Sequence, residues 1–92
     1  MTFEKDRAMT HTDEFRAELK ARFEYGNERG APFVETSSGD LHRAVGGYPG
    51  TNHRMPTCCE VMYAEMAALD ELVSAPLKGK GATLTIRYHL PR

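Results

Sequence analysis

The chain lacks tryptophan, carries almost no net charge, and has no apolar run near the roughly 20 residues that cross a bilayer. Each shortage excludes something. Without such a run no membrane-spanning helix is expected. Met1 to Met9, with Glu4, Lys5, Asp6 and Arg7, lacks the apolar stretch of a signal peptide and reads as a frayed leader, so a cytoplasmic location is expected. The only cysteines, Cys58 and Cys59, are adjacent. Neighbouring cysteines rarely bridge, because closure strains the peptide between them, and a reducing compartment fits that arrangement. At 92 residues the chain has room for one domain with a modest core.

The net charge of −1 conceals a segregation. Leu41 to Cys59 holds Arg43 and Arg54 and no acid. Leu72 to Arg92 holds Lys78, Lys80, Arg87 and Arg92, again with no acid. All thirteen acids lie elsewhere, among the other six bases. Such a distribution acquires meaning only if the fold brings the two basic segments together.

Periodicity supplies the elements. Thr10 and Asp13 are spaced as a capping box, and Phe15, Leu19 and Phe23 follow at four-residue steps, predicting an amphipathic helix stopped by Gly26 and Asn27. Ala31 to Thr36 reads as a short strand. Ser37 and Asp40 form a second capping box before a short helix that places Leu41, Ala44 and Val45 on one face, turns His42 and Arg43 away, and ends at Gly46-Gly47. After a glycine- and proline-rich connection, a third helix starts at Pro56, or at a Thr57/Glu60 cap, and runs to about Leu69. Its apolar positions are Cys59, Met62, Met66 and Leu69. Leu72 to Pro76 is a strand, and Leu77-Lys78-Gly79-Lys80-Gly81 a basic turn. From Ala82, Leu84, Ile86, Tyr88 and Leu90 alternate with polar residues, the period of a half-buried strand closing a hairpin.

In this order of elements, over Thr10 to Leu90, the chain resembles the winged helix-turn-helix superfamily. The resemblance implies an α+β winged helix at 10–92 behind the leader at 1–9, with element order α-β-α-α-β-β. It implies that the second of the paired helices enters the major groove by its N-terminal end, here Arg54 to Cys58. The hairpin loop, Leu77 to Gly81, would be the wing that grips phosphates or the minor groove. Phe33 to Thr36 would pair with the hairpin. The connection Gly47 to Met55 exceeds a tight turn, so it holds either an extra helical turn or a loop of its own.

The expected partner is double-stranded DNA, bound without catalysis and without a cofactor. Phosphate contacts fall to Arg43, Lys78, Lys80 and Arg87, and Asn52, Arg54 and Thr57 are types able to read base edges. Singly each is an ordinary surface residue, and lysine with glycine is ordinary turn chemistry. The rival reading is a protein-interaction or dimerisation module presenting Tyr48, Pro49 and Met55 as an apolar surface. His42, His53, Cys58 and Cys59 suggest a metal, but adjacent cysteines on a helix diverge by about 100° and cannot readily meet one ion. Cys58 near a helix start has no partner group for nucleophilic chemistry, so neither a metal site nor an enzyme is expected.

Overall fold

The computed structural model describes residues 10–48, 50 and 53–92. The leader Met1 to Met9, Pro49, Thr51 and the site candidate Asn52 lie outside the described residues.

Helix α1 (His11–Glu28) starts at the expected box: Thr10 Oγ1 accepts from the Asp13 amide at 3.1 Å, and the Asp13 carboxylate accepts from the Thr10 amide at 3.3 Å. Phe15, Leu19 and Phe23 are buried as their spacing requires. The helix does not stop at Gly26 and Asn27. A Cβ on Gly26 would stand 2.5 Å from Leu90 Cδ1, so this glycine lets the last strand pack closely while the helix runs on. The chain turns instead at Gly30, whose φ of 72° suits glycine.

Strand β1 (Phe33–Ser37) leads directly into α2 (Ser38–Val45). Ser37 Oγ accepts from the Asp40 amide at 3.2 Å, while the Asp40 carboxylate pairs with Arg43 at 3.3 Å. The orientation expected for α2 is corrected. Leu41 and His42 are buried, at 0% and 2% exposure, whereas Ala44 is exposed. The inward positions of Leu41 and Val45 and the outward position of Arg43 agree with the expectation; Ala44 and His42 do not. Gly46 (φ 114°) and Gly47 (φ 87°) then carry the chain out of the helix.

Helix α3 (Met55–Ala64) begins one residue before Pro56 and ends five residues short of Leu69. Beyond it Asp70 competes for the backbone: its carboxylate accepts from the Ala67 amide at 2.7 Å, and its own amide donates to Ala67 O at 3.0 Å. A turn forms in place of the helix, the usual effect of a short acidic side chain on nearby amides. Leu69 is left exposed.

Strands β2 (Glu71–Ser74) and β3 (Thr85–His89) form the expected antiparallel hairpin, and β1 pairs antiparallel with β3 to give the order β1-β3-β2. Leu84, Ile86, Tyr88 and Leu90 are all buried, so the alternation read from the sequence is the core face of the central strand. Phe23 meets Tyr88 at 5.0 Å between ring centroids, and the Tyr88 hydroxyl donates to Met62 O at 2.8 Å, tying α1, α3 and β3 together. The described residues thus form a small mixed α+β domain of three helices and a three-stranded antiparallel sheet. No helix among them is long and apolar enough to cross a membrane.

Candidate nucleic-acid interface

The connection between α2 and α3 is anchored from below by His42. Its Nε2 accepts from the Arg54 amide at 2.8 Å, which fixes the proton of the neutral ring on Nδ1. That Nδ1 is buried without a hydrogen-bond partner among the described residues. The His42 ring lies edge-on to Phe15 at 4.8 Å, tilted against Tyr48 at 5.5 Å and edge-on to His53 at 6.3 Å. An aromatic series therefore runs from the core at Phe15 to the surface at His53.

At the start of α3, Arg54 is the N-cap residue but makes no side-chain cap. His53 fills that role, its Nδ1 accepting from the Met55 amide at 3.3 Å, which leaves Nε2 as the donor of the neutral ring. Arg54 is exposed and forms no ion pair among the described residues. Thr57 sits half-buried in the first turn of α3 and does not cap it.

The loop between β2 and β3 is bound to α3. The Tyr63 hydroxyl donates to Gly79 O at 2.6 Å, the Gly81 amide donates to Cys59 Sγ at 3.3 Å, and Ser38 Oγ donates to Gly81 O. The basic turn expected at Leu77 to Gly81 is thus tethered on its C-terminal side. Lys80 pairs with Glu60 at 2.8 Å, and that hydrogen bond raises its pKa. Lys78 is exposed without an ion pair among the described residues.

These tethers bring the two acid-free segments together. A groove of about 300 Å³ is lined by Tyr48, His53, Met55 and Pro56 on one side and by Lys80, Gly81 and Ala82 on the other. Arg43 lies alongside, its guanidinium 5.4 Å from the Tyr48 ring centre. Arg87 is elsewhere, on the sheet face turned from the core. There it pairs with Glu35 at 3.1 Å and Glu71 at 3.3 Å and covers Phe33. Acids distant in sequence therefore offset Arg87 and Lys80, and Asp40, three residues away on the same helix, offsets Arg43.

The apolar surface foreseen at Tyr48, Pro49 and Met55 is also revised. Met55 is buried and Tyr48 half-buried, because both pack on the core below the groove. Exposed apolar side chains gather instead around β2, at Leu69, Leu72, Val73 and Leu77, with Phe33 on β1.

Cys58 is fully buried, like Cys59. Burial, reinforced by the neighbouring Cys59, pushes its thiol up to about 12, so it stays protonated at neutral pH. Among the described residues no three His, Cys, Asp or Glu side chains are grouped as metal ligands.

Spacing gave no sign of Tyr63 as an anchor of the loop or of His42 as the support of α3. A polar residue beside Leu41 in a short helix was the only available hint. No protein-family model, curated protein or solved structure matches the chain.

Proposed function

We propose that this is a winged-helix-like domain that binds nucleic acid without catalysing a reaction. The observation that carries the reading is the meeting of the two acid-free segments at one groove, which Lys80 lines together with His53 and Pro56. The sheet order β1-β3-β2 and the packing of the β2–β3 loop against α3 are compatible with a wing beside a recognition helix. In this reading Arg54, Arg43, Lys78 and Lys80 hold phosphates, and Thr57 lies close to the bases. Arg87, paired with two glutamates on the outer sheet face, contributes least.

The test is a titration with labelled duplex DNA at about 50 and about 200 mM salt, between which a counterion-release binder loses affinity steeply. Replacing Lys78 and Lys80 by alanine should lower the slope of log affinity on log salt by about 2. Salt-independent binding, or an unchanged slope in the double variant, refutes the assignment of the loop.

A second reading, self-association or a protein partner, is favoured by the exposed Leu72 and Val73 on the edge strand β2. An unpaired apolar strand edge invites pairing.

A further inference from the structure

The groove has features that phosphate contacts alone do not require. Two of its walls are aromatic, Tyr48 and His53, with their rings perpendicular and 5.9 Å apart. Met55 and Pro56 add apolar lining, and Lys80 lines the same groove. Its volume of about 300 Å³ matches the lower end of sites that hold small ligands.

The polar groups around it are mainly donors. His53 spends Nδ1 on the Met55 amide, so in the neutral ring Nε2 carries a hydrogen. Lys80 has three donors, of which the Glu60 contact uses one. A flat aromatic body with an anionic group at its edge meets these requirements. A continuous stacked duplex does not, since its bases are not available to enter a groove.

We infer that the groove lined by Tyr48, His53, Pro56 and Lys80 takes one unstacked nucleotide, its base against the aromatic and apolar side chains and its phosphate toward Lys80. This rests on the nucleic-acid reading and narrows it to an unpaired nucleotide. The same chemistry is offered by a base in a single strand and by a free nucleoside monophosphate. His42 acts as a positioning residue, because it supports both aromatic walls and holds the Arg54 backbone.

The experiment compares four probes against the full chain by fluorescence anisotropy, directly or by competition: a dT12 strand, a 12-mer of abasic residues, a 12-base-pair duplex and free dTMP. The dT12 strand should bind about 5- to 150-fold tighter than the abasic strand, the range that stacking of a base commonly gives. Tyr48→Ala should remove most of that difference, and Tyr48→Phe, which keeps the ring, should retain it. Circular dichroism of both variants establishes that they are folded. If Tyr48→Ala unfolds, His53→Ala at the exposed wall replaces it, with the same loss expected. Binding of dTMP that depends on the same ring, with no advantage for dT12, supports the groove and identifies a free nucleotide as its source.

Equal binding of dT12 and the abasic strand, with no ring-dependent binding of dTMP, overturns the inference while leaving phosphate-driven binding intact. Duplex binding tighter than dT12 does the same. Failure of every probe to bind overturns both this inference and the nucleic-acid reading.

Discussion

His42 and Cys58 illustrate how burial decides what a side chain can do. Either is reactive when exposed, yet both are removed from water here, His42 at 2% and Cys58 at 0% exposure. His42 spends its only acceptor on the Arg54 amide and becomes a support for α3. Cys58 donates to Ser38 O across α2 at 3.6 Å, and burial raises its pKa to about 12. Thiol chemistry requires the thiolate, so Cys58 should be inert in the folded chain. With Ellman's reagent at pH 8, native protein should release almost no thiol signal over minutes, and both cysteines should react at once in guanidinium. Rapid reaction of the native protein would mean that α2 and α3 part readily.

The β2–β3 loop belongs to the scale of elements. Its sequence is that of a soluble turn, with Gly79 in the left-handed region at φ 84°. Its position comes from α3, through Tyr63 to Gly79 and Cys59 to Gly81. Removing the hydroxyl with Tyr63→Phe deletes one hydrogen bond in a half-buried site and should cost about 1 kcal/mol or less of global stability. Locally the effect should be larger: amide exchange of Gly79 and Gly81 should accelerate several-fold while α1 amides stay protected. Unchanged exchange at both glycines would show that the Tyr63 hydroxyl does not hold the loop. The shortening of α3 has a comparable origin. Met66 and Leu69 continue the apolar spacing of the helix, but Asp70 claims the Ala67 amide and the chain turns early.

Across the whole molecule, the end of the chain is fastened by a clamp that joins distant segments. The Arg92 guanidinium meets Asp70 at 2.9 Å and Glu65 O at 2.7 Å, and lies over Phe23 at 4.6 Å. Asp70 also accepts from the His89 amide at 2.6 Å. Burial alone would raise the Asp70 pKa, but the bonds from His89, Ala67 and Arg92 outweigh it and lower the value. A carboxyl depressed on folding contributes stability above the unfolded aspartate pKa of about 3.9, and that contribution is lost as pH falls through the folded value. Urea denaturation should therefore show stability falling below about pH 4. Asp70→Asn should cost roughly 2 kcal/mol at pH 7, the scale of a charge-assisted hydrogen bond, with a shallower acid decline. An Asp70→Asn variant as stable as the parent at pH 7 would refute the clamp.

The sequence by itself determined the local elements, because helix caps, four-residue spacing and strict alternation act between near neighbours. The Thr10 box, the apolar face of α1 and the buried face of β3 all follow from residues within a few positions of one another. The meeting of the short strand with the hairpin was implied by the winged-helix resemblance rather than by local pattern, and β1 does pair with β3. Tertiary structure alone decided which charges remain available. Lys80 and Arg87 stand in stretches without an acid, yet Glu60, Glu35 and Glu71 reach them across helix and sheet. It also decided that Gly26 is a contact rather than a helix stop, that His42 faces inward, and that Tyr48 and His53 share a groove with Lys80. The physical reason is common to these cases: close packing and Coulomb pairing depend on distance in space, whereas periodicity records only distance along the chain.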